Sequence, residues 1–149
     1  MIDRPHRVDL VVDTSAVLAV LLDESTAAGV EHALRSAAAP VISAGSAVEL
    51  GIVTTARFGR TGADAAQALL DAAGVVTMPV DSLISQAALD AWQRYGKGNH
   101  SARLNFGDCF AYATAQHFEV PLLCVGNNFA HTDATLVDMS GSVGWRALN

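Results

Sequence analysis

Three acidic residues stand where a carboxylate needs an explanation. Asp13 closes the apolar stretch VDLVVD, Glu49 lies within SAGSAVELGIVTTARFG, and Asp108 lies near the start of LNFGDCFAYATAQ. Carboxylates that converge among apolar neighbours repel one another, and a hard divalent cation relieves that repulsion. Oxygen-only ligands suit Mg²⁺ or Mn²⁺ rather than zinc. Such a site can activate water and stabilise charge during phosphodiester hydrolysis without a protein nucleophile.

Two of these residues also have a simple structural interpretation as helix caps. Asp13 could cap a helix that starts at residue 14, although Thr14 or Ser15 could cap it instead and leave Asp13 free. Asn105 is a suitable N-cap for the later helix, and Asp108 at its third position would favour the helix dipole. Both interpretations stay open at this point.

The helical faces argue for the functional interpretation. Glu49 shares a predicted face with three apolar residues: Ile52, Val53 and Ala56. Asp108 shares its face with another apolar set: Ala111, Tyr112 and Ala115. A carboxylate on a buried face needs a cationic partner, unless Glu49 bends out to solvent or pairs with a distant arginine.

The elements that would position these residues alternate along the chain. Strands are predicted at 8–13, 39–43, 75–80 and 121–125, with a weak terminal strand around LVDM. Helices are predicted at 14–25, 43–59, 61–74, 81–96 and 106–118, and residues 26–38 are assigned to no element. This order predicts a parallel α/β sheet covered on both faces. Ligands of such sheets bind at the carboxyl ends of strands, where Asp13 and the GNN turn lie.

Composition sets the broad class. The chain has 149 residues, of which 51% are hydrophobic and 16% charged, so we expect one folded domain over residues 1–149. The longest apolar run, AVLAVLL, is too short for a membrane span, which indicates a soluble, cytoplasmic protein. Cys109 and Cys124 are expected to be buried free thiols.

The net charge of −6 argues against nucleic-acid binding unless bases cluster locally. Two groups of bases could supply that clustering, Arg57 with Arg60, and Arg94 with Lys97, His100 and Arg103. If the protein binds RNA, five of these bases are the expected contacts: Arg57, Arg60, Arg94, Lys97 and Arg103.

Four stretches together resemble the successive motifs of PIN-domain ribonucleases, and more closely those of VapC-type toxins of bacterial toxin–antitoxin pairs. They are VVDTSAVLAVL, SAGSAVELGIVTTARFG, YGKGNHSARLNFGDCFAYATAQ and PLLCVGNNFAHTD. The resemblance implies a PIN-like three-layer α/β/α sandwich with a central, mainly parallel sheet. It also implies Mg²⁺- or Mn²⁺-dependent cleavage of RNA, often tRNA or rRNA, a VapB-like antitoxin that blocks the pocket, and a homodimer.

The same resemblance assigns roles to particular residues. It implies that Asp13 and Asp108 are direct metal ligands and that Glu49 acts directly or through a bound water. Thr14 or Ser15 would support the site by hydrogen bonding.

One turn departs from the family pattern. The resemblance implies an acidic residue just after the fourth strand, often in a GDDF-like turn, whereas this chain has GNNF with Asn127 and Asn128. An Asn carbonyl can accept a hydrogen bond or ligate a metal weakly, but it carries no charge. Asp133 could substitute for the missing carboxylate, or it could be an ordinary loop residue.

Two rival functions follow from these observations. The GNNF turn is compatible with a catalytically weakened PIN-fold module that binds RNA or protein. A small Mg²⁺-dependent phosphatase would also use a strand-end aspartate, but it needs a second Asp two residues later, where this chain has Ser15.

Overall fold

The structure, a computed structural model, describes residues 7–139. The strands are β1 (Leu10–Val12), β2 (Pro40–Ser43), β3 (Val76–Met78) and β4 (Leu122–Leu123). The helices are α1 (Thr14–Leu21), α2 (Ala27–Ser36), α3 (Ala44–Ala72), α4 (Ser82–Tyr95) and α5 (Phe106–Phe118), and a 3₁₀ turn spans Phe129–His131.

The four strands form one parallel sheet in the order β3-β2-β1-β4. Val11 of β1 pairs with Val41 of β2 on one side and with Leu122 of β4 on the other. The chain therefore builds outward from β1 to β3 and returns to the opposite side of β1 for β4. This reversal places the topological switch point between β1 and β4, where α/β sheets open a crevice for ligands.

Helices cover both faces of the sheet, as the alternation of side chains along a strand requires. Leu10 and Val12 pack into a core with residues of α1, α2 and α3, whereas Val11 packs into a second core with residues of α4 and α5. β1 and β4 are fully buried and entirely apolar, whereas the edge strand β3 is partly exposed and contains Thr77. The predicted three-layer α/β/α fold with a parallel sheet is confirmed.

Helix α3 is interrupted at Gly59, which has φ 72° and ψ −170°. This backbone lies in the left-handed region of φ, which glycine adopts without the steric cost that a β-carbon brings. The prediction of two helices that meet at this glycine is confirmed, although the two segments follow each other without a loop.

Other element boundaries differ from the predictions. Helix α2 occupies part of the stretch to which no element was assigned, and it buries Ala27, Val30 and Leu34. Strands β1, β3 and β4 have three, three and two residues, so each is shorter than predicted. The terminal strand around LVDM is reduced to a single bridge between Leu136 and Leu122. Among residues 7–139, no helix is long and apolar enough to cross a membrane.

Candidate active site

The three carboxylates follow from three different elements that end or begin at the same edge of the sheet. Asp13 comes directly after β1, and Glu49 lies in the second turn of α3, which starts where β2 ends. Asp108 lies in the first turn of α5. Because β1 and β2 are parallel neighbours, their carboxyl ends meet at one edge. Helix α5 packs against α3 and both strands, which brings its first turn to that edge.

Asp13 caps helix α1 with one oxygen and leaves the other unpaired. Its Oδ2 accepts hydrogen bonds from the Ser15 backbone N–H at 3.0 Å and from the Ser15 hydroxyl at 2.5 Å. Its Oδ1 is buried, and no described residue donates to it. Of the two alternatives that the sequence left open, capping by Asp13 is the observed one, and capping by Thr14 or Ser15 is not. Asp13 is the cap, and only one of its oxygens remains available.

Burial and repulsion change the charge state of Asp13. Its side chain is 3% exposed, and desolvation raises its pKa from 3.8 to about 6. The two hydrogen bonds from Ser15 oppose this rise, whereas the nearby charges of Asp108 and Glu49 add to it. Asp108 and Glu49 are therefore near enough to Asp13 for their charges to affect its pKa.

Glu49 reaches the site by a route that the helix-face argument did not predict. The buried side of α3 consists of Ser46, Leu50 and Thr54, whereas Ile52 is 64% exposed and Ala56 is also exposed. The predicted buried stripe of Ile52, Val53 and Ala56 is therefore wrong. Glu49 itself is half-buried because it lies at the border of the inward face, next to α5.

Gly107 makes the approach of Glu49 possible. A β-carbon at position 107 would lie 1.9 Å from Glu49 Oε2, closer than atoms can approach. The carboxylate of Glu49 therefore rests against the α5 backbone, one residue before Asp108. Sequence reasoning did not single out Gly107, and its signal was a glycine in the first turn of a helix, where propensity disfavours it.

Asp108 both supports the start of α5 and places a carboxylate on the buried face of that helix. Its backbone N–H donates to Asn105 Oδ1 at 2.9 Å, and its Oδ2 accepts from the Asn105 N–H at 3.0 Å, which completes a capping box. Its side chain is also on the buried face, at 9% exposure. Burial raises the pKa of Asp108, while hydrogen bonds from the Asn105 backbone and the Asn128 side chain lower it.

Thr14 and Ser15 connect the carboxylates to neighbouring elements. The Thr14 hydroxyl donates to the backbone carbonyl of Ser46 at 3.3 Å, which ties α1 to the first turn of α3. The Ser15 hydroxyl donates to Asp13 and accepts from the Val125 N–H at 3.0 Å. Ser15 therefore spans the crevice between the ends of β1 and β4.

The turn after β4 separates the three residues that sequence analysis considered for a fourth position. Asn127 is exposed, and its carbonyl accepts from the Ala130 N–H at 3.2 Å. Asn128 reaches Asp108 with its side chain. Asp133 contacts Arg94, Tyr112 and Gln116, and it is not among the charges that shift the pKa of Asp13 or Asp108.

The donor set suits a hard cation, although the carboxylates are not arranged around one point. Within residues 7–139, no three His, Cys, Asp or Glu side chains are placed as joint ligands of a metal ion. The buried, unpaired Oδ1 of Asp13 nonetheless lacks the partner that such an atom requires. Since Asp108 and Glu49 both repel Asp13, a divalent cation at this edge would relieve the cost of all three charges.

The predicted RNA-contacting bases are all exposed. Arg57 lies eight residues beyond Glu49, about 12 Å along α3, and Arg60 follows the break at Gly59. Lys97 and Arg103 lie in the loop that leads from α4 into α5. Arg94 pairs with Asp133 at 3.5 Å, so its charge is partly neutralised.

Exposed apolar side chains adjoin the carboxylates. Val48 and Ile52 flank Glu49 on α3 and are 62% and 64% exposed, while Phe106, the first residue of α5, is 79% exposed. Sequence analysis did not distinguish these residues from core positions. Their exposure beside a polar site is typical of a surface that contacts another molecule.

A cleft of about 690 Å³ lies at the opposite edge of the sheet, beside Leu10 and Pro121. One of its carboxylates, Asp9, accepts hydrogen bonds from the N–H groups of Ala38 at 2.7 Å and Ala39 at 2.9 Å. Asp9 is therefore satisfied, unlike Asp13 at the other edge.

Comparison with known proteins places this arrangement in a family. Residues 10–134 match the PIN domain family. A protein named Ribonuclease VapC from Mycolicibacterium smegmatis is 41% identical over 128 residues, which cover 86% of this chain and 99% of that protein.

Two solved structures share the fold at low sequence identity. VapC20 of Mycobacterium tuberculosis, described as a sarcin-ricin loop cleaving toxin, matches with a TM-score of 0.70 and 18% identity over 87% of this chain and 98% of its own. VapBC2 from Rickettsia felis, bound to a DNA fragment from their promoter, matches with a TM-score of 0.67 and 9% identity over 88% of this chain and 97% of that chain. The family match and the identity over most of both chains show that this chain belongs to the PIN-domain family, within its VapC group.

Proposed function

We propose that the chain is the toxin component of a type II toxin–antitoxin system and acts, as a single PIN-like domain, as a metal-dependent endoribonuclease. The observation that carries this proposal is a buried oxygen of Asp13 that has no donor among the described residues, on a carboxylate whose pKa is raised by burial and by the neighbouring charges of Asp108 and Glu49. The name of the relative that is 41% identical, Ribonuclease VapC, supports the reaction.

In this proposal, the three carboxylates hold Mg²⁺ or Mn²⁺. Asp13 and Asp108 are the direct ligands, and Glu49 contributes directly or through water. A bound cation of this kind activates water and stabilises the charge that develops on a phosphodiester. Ser15 holds one oxygen of Asp13 and so directs the other toward the cation. Asn105 fixes Asp108 in the same way.

RNA is the proposed substrate, with tRNA or rRNA as the expected class. The acidic pocket repels phosphate until the cation is bound, so contacts outside the pocket must hold the nucleic acid. The exposed bases Arg57, Arg60, Lys97 and Arg103 suit that purpose. Arg94 would contribute less because Asp133 already pairs with it. A substrate of this class places the protein in the cytoplasm.

A VapB-like antitoxin is the proposed partner that blocks the pocket, and the toxin would form a homodimer. The solved VapBC2 complex, whose toxin has the same fold, supports the antitoxin partner. The exposed apolar side chains of Val48, Ile52 and Phe106 give a protein partner something to bury next to the carboxylates.

Cleavage of total RNA by the purified, antitoxin-free protein tests the proposal. Discrete fragments in Mg²⁺ or Mn²⁺ that disappear with EDTA and in Asp108→Asn are the expected result. The matched control is Asp64→Asn, which removes an exposed carboxylate on α3. Mapping the fragment ends would identify the RNA. Equal cleavage by Asp108→Asn and wild type would refute the site.

The alternative is a catalytically weakened PIN-fold module, favoured by the neutral Asn127 and Asn128 in the turn after β4. That alternative predicts that Mn²⁺ binds to the wild-type protein and not to Asp108→Asn, while neither protein cleaves any RNA. The same preparation therefore decides between the two functions.

A further inference from the structure

Helices α3 and α5 meet at two glycines, one from each helix. A β-carbon at Gly107 of α5 would overlap the Glu49 carboxylate. A β-carbon at Gly45 of α3 would lie 2.6 Å from Cγ and 2.7 Å from Cδ2 of the Phe110 ring. Carbon atoms that are not bonded to each other pack at about 3.5–4.0 Å. Position 45 therefore admits no side chain while the two helices keep their present separation.

The two contacts belong to one interface. Gly45 and Glu49 are four residues apart and share one face of α3. Gly107 and Phe110 are three residues apart and share one face of α5. Because Gly45 meets Phe110 and Glu49 meets Gly107, the residue numbers run in opposite directions through the interface. A change in separation at one contact is therefore felt at the other.

The neighbours of the two glycines differ in how far they can yield. Glu49 Oε2 is the end of a flexible side chain, so it can turn aside from a new β-carbon at position 107. Phe110 Cγ is the atom that carries the ring, so it leaves only if the whole ring moves. That ring is half-buried against the core that contains α4 and α5, and the Phe106 ring lies edge-on to it at 4.9 Å. An added carbon at position 45 therefore has to move a helix.

The first turn of α3 is the better anchored of the two helix ends. Ser43, the last residue of β2, is 1% exposed, and its hydroxyl accepts from the Gly45 N–H at 3.2 Å. The Thr14 hydroxyl donates to the Ser46 carbonyl at 3.3 Å. These bonds join the start of α3 to the sheet and to α1. The displacement that an added carbon causes should therefore fall on α5, whose first turn carries Asp108.

We propose that Gly45 is a positioning residue: its contact with the Phe110 ring sets the separation of α3 and α5 and, with it, the distance between the Glu49 and Asp108 carboxylates. Gly45 would act on the metal site only through this separation, since it offers no side chain to a ligand. A wider site should favour a larger ion, because Mg²⁺ takes oxygen ligands at about 2.0–2.1 Å and Ca²⁺ at about 2.3–2.6 Å. The consequence for metal binding rests on the proposed function, whereas the spacing of the helices does not.

The first test measures this spacing without metal or RNA. In the full chain, the nuclear Overhauser effect between the Glu49 Hγ and Gly107 Hα protons reports how closely α3 approaches α5. We expect this signal to weaken severalfold in Gly45→Ala and to stay unchanged in Gly51→Ala, the matched control, whose β-carbon meets nothing within 4 Å. Both substitutions replace a glycine of α3 by alanine, so their effects on helix propensity are similar. An unchanged signal in Gly45→Ala would overturn the proposal.

A second variant covers the case in which Gly45→Ala does not fold. Phe110→Ala removes the obstructing ring, so Gly45→Ala/Phe110→Ala should be as well folded as Phe110→Ala alone, as judged by the dispersion of amide signals. A double variant that is less folded than Phe110→Ala would overturn the proposal, because the added carbon would then be harmful without the ring.

The second test measures the affinities for Mg²⁺ and Ca²⁺ by titration calorimetry. In the wild-type background, Gly45→Ala should weaken Mg²⁺ binding at least about tenfold, the lower end of the range for residues that position metal ligands, and Ca²⁺ binding less. In the Phe110→Ala background, the same substitution should have little effect. Equal losses for both ions, or in both backgrounds, would overturn the proposal. If wild type binds no Mg²⁺, the proposed function fails, and the first test still decides whether Gly45 sets the spacing.

Discussion

Asp13 and Asp133 are both aspartates that lie outside the helices and strands, yet their surroundings are opposite. Asp13 is 3% exposed, has one oxygen without a donor among the described residues, and has neighbouring carboxylates that raise its pKa. Asp133 is exposed, accepts from three side chains, and has a lowered pKa.

The difference distinguishes two uses of the same side chain. A carboxylate whose donors are all supplied by the protein is stable in its charged form and holds structure together. A buried carboxylate that lacks a donor is destabilising in the charged form unless a ligand completes it. From this comparison we propose Asp13 as the functional aspartate and expect Asp133 to be a structural one.

The largest expected effect is the loss of catalysis in Asp13→Asn. Removing a direct ligand should lower the rate of RNA cleavage at least about 100-fold, because the metal contributes several kcal/mol to the transition state. Single-turnover cleavage of the mapped RNA at saturating Mn²⁺ measures this. A loss below threefold would mean that Asp13 is only a helix cap.

The second effect is that of Asp13→Asn on stability. The substitution should stabilise the fold, whereas most substitutions of native residues destabilise it. The pKa of Asp13 is raised to about 6 from 3.8. Its contribution to the stability of the fold is therefore favourable below pH 3.8 and is lost as the pH rises through about 6. The ionised form costs at most about 3 kcal/mol. Asn keeps the cap and carries no charge. In EDTA, the free energy of unfolding of Asp13→Asn should therefore increase relative to that of wild type by about 1–3 kcal/mol as the pH rises from 4.5 to 8.

Urea unfolding of both proteins at the two pH values measures this gain. Titrating groups that do not interact with Asp13 cancel in the difference, whereas Asp108 and Glu49 lose its repulsion in the variant, which adds to the expected gain. A variant that is less stable than wild type at pH 8 would contradict the repulsion on which the comparison rests.

A smaller effect is expected from Gly107→Ala, which forces Glu49 away from α5. The new β-carbon would meet the end of a flexible side chain, so the fold should survive while Mn²⁺ affinity falls about tenfold, or about 1.4 kcal/mol. Gly51→Ala on α3 is the matched control, because its β-carbon meets nothing within 4 Å. Calorimetric titration of both variants decides whether the approach of Glu49 matters; equal affinities would show that it does not.

The smallest effect is expected from Asp133→Asn on stability, and it should be opposite in sign to that of Asp13→Asn. Because the pKa of Asp133 is lowered by folding, its contribution to stability is present above the pKa of the unfolded state. That contribution is lost as the pH falls through the pKa of the folded state. Since its side chain is 56% exposed, the loss at pH 8 should stay within about 1 kcal/mol. A higher urea midpoint for Asp133→Asn than for wild type at pH 8 would contradict the proposed difference between the two aspartates.

Sequence patterns predicted the elements of the fold wherever apolar residues recur strongly. They missed α2 although Ala27, Val30 and Leu34 recur at helical spacing on its inward face, because the stretch has few large apolar residues overall. The break at Gly59 was predicted because glycine is the residue that adopts its backbone angles at little cost.

The candidate site was predictable in its residues and not in its contacts. Asp13, Glu49 and Asp108 stand out because carboxylates are rare among apolar neighbours. The phase of the first half of α3 was misjudged, because the face that carries Ser46, Leu50 and Thr54 is chosen by packing against the sheet and not by hydrophobicity alone. The contact of Glu49 with Gly107 joins positions 58 residues apart, which local patterns do not encode.

The pairing of the last strand with the first has a consequence for synthesis. Strand β4 completes the sheet only by docking beside β1, and Asn128 follows it in the chain. Since ribosomes release the chain from its amino terminus, β1 and the first two carboxylates emerge long before their partner strand. A nascent or prematurely terminated chain thus lacks the wall that Ser15 and Val125 form between β1 and β4. If the proposed ribonuclease activity depends on this wall, we expect it to arise only after β4 has been synthesised.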